Sequence, residues 1–250
     1  MDQQQEMIIG KNPVLEALKS GRSVNKVLVS EQLNPKVQGK IIHQSKEAGT
    51  IVQKVPKSKL DQAASGNHQG VIAYVASYQY ASIEDLFQRA DENKEEPFLI
   101  ILDELEDPHN LGSILRTADA AGVHGVIIPK RRSVGLTATV AKTAAGAMEH
   151  IPVVRVTNIA NTIDELKERN VWVVGTEADA TEDYRQLEGT LPLAIVIGNE
   201  GKGMSRLVRK KCDWTVSLPM KGEVSSLNAS VACSLLLYEV YRKRSPLGEG

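Results

Sequence analysis

Cysteine and aromatic residues are both scarce in this 250-residue chain: there are two cysteines, and Phe, Trp and Tyr together make up 4%. Cys212 and Cys233 have no metal-ligand spacing and lie beside apolar residues, so they read as free buried thiols and not as a disulfide or redox pair. The five histidines are scattered, none with a second histidine or a cysteine at i+3 or i+4, and no metal site is expected. With so few aromatics, a broad base-stacking platform is not supported. No apolar run approaches the roughly 20 residues that span a bilayer. The opening "MDQQQEMIIG" has neither the basic nor the apolar region of a secretory signal. These absences lead to the expectation of a cytoplasmic protein with no membrane and no metal partner.

What is present is an ordinary globular composition, 42% hydrophobic and 24% charged, with an uneven distribution of charge. Residues 1–80 carry 10 Lys+Arg against 6 Asp+Glu, whereas residues 81–97 carry 2 against 6. The basic excess of the first segment suits a polyanionic partner or a plain solvated surface. "ADENKEEP" (90–97) reads as an acidic linker closed by proline. Before it, short strand and helix patterns alternate: "MIIG", a helix entered through Asn12 as N-cap and Pro13 and stopped by Gly21, "KVLVS", "PKVQGKIIHQSKEAG", "IVQKV", "KSKLDQAA" and "GVIAYVA". This is a small α/β unit without a phosphate loop or a nucleophile elbow, and it reads as a binding module.

From Pro97 the strands become continuously apolar: "FLIIL" (98–102), "GVIIP" (125–129), "VWVVG" (171–175), "LAIVIG" (193–198) and "WTVSLP" (214–219). Runs without alternation imply strands covered on both faces, hence a mostly parallel sheet, with helices expected at 111–121, 137–147, 159–169, 205–211 and 226–243. Ligands of such sheets collect at the carboxyl ends of the strands. Three loops there are rich in functional groups. "DELEDPHNLGSILRTADAAG" (103–122) carries Asn110, as cap or just before the helix, with Ser113 and Arg116 on one helical face. "GNEGKGMS" (198–205) has three glycines and Glu200. "PMKGEVSSLNAS" (219–230) holds Ser225, Ser226, Asn228 and Ser230, more hydroxyl and amide groups than one N-cap requires. A dinucleotide fingerprint fails on position, since the loop after the first strand has a single glycine, Gly112. The glycines of the other loops instead let backbone approach a flat ligand, as an adenine-containing cofactor would need.

"NLGSILRTADAAG", "IVIGNEGKGMS" and "LPMKGEVSSLNASVA" resemble, in order and spacing, the three motifs of the SpoU/TrmH family of SPOUT RNA ribose 2′-O-methyltransferases. "GKNPVLEAL" and the pattern after it resemble the L30e-like substrate-binding domain of the RlmB-like subgroup, which methylates a guanosine in the peptidyl-transferase region of 23S rRNA. The resemblance implies an α/β-knot fold with a trefoil-knotted sheet, and a homodimer built on the catalytic domain. It divides the chain into an L30e-like RNA-binding domain (1–78), an acidic linker (79–97) and a methyltransferase domain (98–250). It implies S-adenosylmethionine as cofactor, held at Gly198, Leu218, Met220 and Leu227. The family's catalytic arginine maps to Arg116, and Asn110, Glu200, Ser226 and Asn228 map to positions that shape the reaction site. The partner it implies is 23S rRNA or the assembling large ribosomal subunit.

Taken singly, each of these residues has a plainer reading: Asn110, Ser226 and Asn228 as helix caps, Arg116 as a surface arginine, Glu200 as a solvated carboxylate. Within the same resemblance a tRNA or resistance-type rRNA 2′-O-methyltransferase, or a non-catalytic RNA-binding adaptor, remains open. "PKRRS" (129–133) and the series Lys202, Arg206, Arg209 and Lys210 are basic clusters, solvated faces or RNA contacts; neutralising Arg131 and Arg132 is expected to weaken rRNA binding and flatten its salt dependence.

Overall fold

A computed structural model describes residues 7–19, 24–64, 66–75, 79–223 and 226–247. The chain separates into two compact units, residues 1–79 with 135–138, and residues 80–134 with 139–250. Ser225 and Gly21, singled out above, lie outside the described residues.

The first unit runs β1 (Met7–Ile9), α1 (Lys11–Lys19), β2 (Val24–Ser30), α2 (Pro35–Glu47), β3 (Ile51–Val55), α3 (Lys57–Ala63) and β4 (Val71–Val75). Its sheet has the order β1-β4-β2-β3, antiparallel except for the β2–β3 pair. The expected elements are present, with one correction: α1 begins at Lys11, so Asn12 lies inside the helix and does not cap it. Val14, Ala17 and Leu18 of α1 and Ile41 of α2 close over Val27, Val29, Val71 and Ala73 to form a core. Ala17 and Leu18 of α1 follow Val14 at i+3 and i+4, the spacing of a helix with one buried face.

The second unit runs α4 (Ile83–Asn93), β5 (Phe98–Leu102), α5 (Pro108–Ala120), β6 (Gly125–Pro129), α6 (Ala138–Ala144), β7 (Val153–Val156), α7 (Ile159–Glu168), β8 (Trp172–Thr176), β9 (Glu182–Asp183), β10 (Leu193–Ile197), α8 (Arg206–Lys211), β11 (Trp214–Ser217) and α9 (Ala229–Arg244). Seven parallel strands stand in the order β7-β6-β5-β10-β8-β11-β9. All of β5 and Leu193–Val196 of β10 are fully buried, as their unbroken apolar runs require.

Three expectations need correcting. Most of the acidic stretch read as linker is helical: α4 is opened by a Ser82–Asp85 capping box and buries Ile83, Leu86 and Ala90 at i, i+3 and i+7. Its carboxylates lie on the solvent face, so charge density alone hid an amphipathic helix. β7 and β9 were not expected: one is four residues long and interrupted by Arg155, the other has two charged residues. The last helix starts at Ala229 and not near Ser226.

Candidate active site

The topology brings the carboxyl ends of β8, β10 and β11 together. Between them lies a cavity of about 380 Å³, within the size range of small-molecule sites. Gly198, Glu200 and Gly203 line it from the turn after β10, Leu218, Met220, Ser226 and Leu227 from the segment after β11, and Thr176 and Glu177 from the end of β8.

The turn after β10 folds back on itself: Asn199 N–H donates to the Gly203 carbonyl (3.0 Å) and Gly203 N–H to the Asn199 carbonyl (2.8 Å). A Cβ on Gly198 would lie 2.3 Å from the Gly203 carbonyl carbon and 2.4 Å from Met204 N, so only glycine permits this closure. The turn is tied to the loop after β5, where Asn199 Nδ2 donates to the Glu104 carbonyl (3.0 Å) and Ser205 N–H to Asp103 Oδ2 (2.7 Å).

A polar network joins all three motif loops. Glu200 Oε1 accepts from Asn110 Nδ2 (2.7 Å), Asn228 Nδ2 (2.8 Å) and Ala229 N–H (3.0 Å). Asn228 Nδ2 also donates to Asn110 Oδ1 (2.9 Å). Asn228 Oδ1 caps α9, accepting from Ser230 N–H (3.0 Å) and Val231 N–H (3.3 Å). Three residues from remote parts of the sequence thus meet at one point. Asn110 is not the cap of α5. Asp107 is, accepting from His109 N–H (2.8 Å), and Asn110 sits buried in the first turn. The expectation that Asn228 caps the last helix holds, but the capping oxygen is only half of its role. Ser226 lines the cavity and makes no capping bond.

Arg116 stands apart. It is exposed on α5, does not line the cavity, and has no hydrogen bond or ion pair among the described residues. One chain therefore brings together eight of the nine residues singled out from the motifs and leaves its guanidinium outside. Sequence reasoning missed Glu177. Burial is the main cause pushing its carboxyl above the usual range, opposed by Arg209. The rule that found the other loops, ligands at strand carboxyl ends, applies equally to the end of β8.

The wall suits an adenosine-bearing sulfonium. Ile197, Val216, Ala232 and Leu236 offer apolar surface. Among the described residues the backbone N–H and C=O groups of Leu218, Met220 and Leu227 have no protein partner, leaving them for the edge of a base. Glu177 supplies a carboxylate for hydroxyl or ammonium groups. Among the described residues no group of His, Cys, Asp and Glu is placed to hold a metal, and no helix is long and apolar enough to cross a membrane.

Residues 97–238 match the SpoU rRNA Methylase family, and residues 7–81 match the domain described as RNA 2′-O ribose methyltransferase substrate binding. A protein of Bacillus subtilis named as a TrmH family tRNA/rRNA methyltransferase is 59% identical over 249 residues, all of both chains. One of the same name from Staphylococcus haemolyticus is 56% identical over 243 residues, 97% of this chain and 98% of the other. Among solved structures, the SpoU methyltransferase AviRb of Streptomyces viridochromogenes in complex with AdoMet is similar with a TM-score of 0.61 and 27% identity, over 95% of this chain and 90% of that one. An AdoMet-bound rRNA methyltransferase of Sinorhizobium meliloti gives 0.56 and 25%, over 95% and 87%.

Proposed function

The chain belongs to the SpoU methylase family, whose cofactor is S-adenosylmethionine, and we propose that it methylates the ribose 2′-hydroxyl of a guanosine in the peptidyl-transferase region of 23S rRNA. The observation that carries this reading is the cavity at the ends of β8, β10 and β11, coupled through Glu200 to Asn110 and Asn228. The cofactor supplies an electrophilic methyl group.

In this reading residues 1–78 present RNA and residues 98–250, with α4 packed into the same core, carry the chemistry. Backbone at Gly198, Leu218, Met220 and Leu227 holds the adenosine. Asn228 has both amide protons committed, so it positions Glu200 and Asn110 and does not touch the ribose. Ser226, exposed at the cavity wall, faces the reaction. Arg116 acts here through its charge and its fork of N–H donors and not as a base. It grips the substrate phosphate and stabilises negative charge developing on the 2′ oxygen. Because it stands outside its own chain's cavity, the site is completed by a second copy. An apolar stripe on α9, Val231, Leu235 and Tyr238 at i, i+4 and i+7, is 42–50% exposed and suits such a homodimer.

An intact network favours an enzyme over a non-catalytic adaptor, and the proposed rRNA substrate places it in the cytoplasm. Calorimetric titration with S-adenosylmethionine and mapping of 2′-O-methyl marks on rRNA from cells with and without the gene test the reading; no heat of binding, or no lost mark, refutes it. Arg116→Lys is expected to lose at least about tenfold in kcat, since an ammonium cannot bond a phosphate through two parallel N–H groups. Near-normal turnover would remove the guanidinium's role.

A further inference from the structure

The first unit has a cavity of its own, about 440 Å³, between the turn after β2 and the loop before β4. The two segments are held together by a bond from Ser30 N–H to the Gly70 carbonyl (2.8 Å). His68, 5% exposed, fixes the loop. Its Nδ1 accepts from Gly70 N–H (3.0 Å), so the ring proton is on Nε2 and points at Asp61 Oδ1 (2.8 Å). This locked frame holds Gln69 in the left-handed region, φ +50°, between Gly66 at +146° and Gly70 at +80°. Glycine at position 69 would relieve that strain. The strained turn presents the Gln69 amide at the cavity wall.

The lining has the chemistry of a nucleotide subsite. Gln32, Asn67 and Gln69 are exposed, and among the described residues their side-chain amides have no hydrogen-bond partner. An amide both donates and accepts, so three of them match the mixed edge of a nucleobase. Leu33 offers an apolar wall for the base face, and Lys57 a cation for the phosphate. We propose that this cavity receives one unstacked nucleotide of single-stranded RNA, its base edge read by Gln32, Asn67 and Gln69. The inference rests on the reading of the chain as an RNA methyltransferase and adds where and how the first unit recognises sequence. Unpaired RNA is the form whose base edges are open to such reading.

The test uses the full chain and fluorescence anisotropy with short homo-oligoribonucleotides of each of the four bases. The wild type is expected to prefer one or two of them. Gln69→Gly combined with Asn67→Ala should weaken the preferred one at least about tenfold and flatten the preference, the loss expected for one amide–base pairing. Lys57→Ala should weaken all four alike and lower the slope of log affinity against log salt by about 0.7. Gln69→Gly alone should melt at or above the wild-type temperature, and the double variant should remain folded at the assay temperature by the same melt, so weakened binding cannot be ascribed to unfolding. S-adenosylmethionine affinity should be unchanged in every variant. No binding by the wild type, equal affinity for all four bases, or wild-type affinity and preference in the double variant would overturn the proposal. Methyl transfer to rRNA, measured separately on the wild type, shows whether the broader reading stands without it.

Discussion

Asn228 is the residue whose replacement separates capping from network most cleanly. Its amide oxygen caps α9 and its two amide protons serve Asn110 Oδ1 (2.9 Å) and Glu200 Oε1 (2.8 Å). Asn228→Ser keeps a capping oxygen and removes both donors, leaving the buried Asn110 acceptor unpaired, a cost of about 1–3 kcal/mol. Asn228→Asp keeps shape and cap but directs an oxygen at the Glu200 carboxylate. Two unit charges at 2.8 Å in an effective dielectric of about 20 repel by about 6 kcal/mol. One carboxyl can escape by taking a proton, at about 1.4 kcal/mol for each pH unit above about 4, which caps the cost near 4 kcal/mol at pH 7. The sign follows from linkage. Repulsion raises the folded carboxyl pKa above its unfolded value, so the native state binds more protons and stability falls as pH climbs from about 4 to the raised value. Thermal unfolding should rank wild type, Asn228→Ser and Asn228→Asp in falling order at pH 7.5. The Asp variant should lie about 10 °C below wild type, at about 2–4 °C per kcal/mol for a unit of this size. At pH 4.5 the two variants should converge, and calorimetry with S-adenosylmethionine should show the same order as the melts. If Asn228→Asp tracks Asn228→Ser at every pH, the three-residue network does not exist as described.

Arg244 anchors the far end of the same helix, donating to the carbonyls of Glu96 (2.6 Å), Gly189 (2.8 Å), Leu191 (2.8 Å) and Pro97 (3.4 Å). Arg244→Ala should cost about 2–4 kcal/mol in chemical denaturation, and Arg244→Lys should recover less than half, because one ammonium cannot reach four acceptors. His124 is fully buried and accepts from Phe98 N–H at Nδ1 (2.9 Å); burial, partly opposed by Glu95, lowers its pKa. Its folded pKa lies below the unfolded value, so the associated stability is complete above about pH 6.5 and is lost as pH falls below it. Unfolding curves of His124→Asn should be flatter than wild type between pH 5 and 6.5. Arg132 is paired with Glu104 (2.9 Å) whereas Arg131 has no ion pair among the described residues. Arg131→Ala should therefore reduce the salt slope of rRNA binding by about 0.7–0.9, and Arg132→Ala by less; equal slopes would place this loop away from RNA.

Much of the fold was legible because burial leaves a local trace. "FLIIL" and "LAIVIG" have no polar face, so they had to be covered strands of a parallel sheet, and the helical pattern of "PKVQGKIIHQSKEAG" opened at the proline that starts α2. The acidic helix α4 was missed because its charges are contiguous in sequence but segregated to one face in space, a separation seen only at helical period. The strand Val153–Val156 was missed because four residues with an arginine among them carry too little pattern. At the site, sequence determined which loops held functional groups and which residue types they offered. That Glu200 binds Asn110 and Asn228 at once was decided by a fold that brings together residues 90 and 28 apart in the chain, since hydrogen-bond partners are chosen by distance in space. The same applies to Glu177, whose carboxyl is raised by burial that only the folded chain creates, and to Arg116, which the motif placed in the site and the single folded chain leaves in solvent.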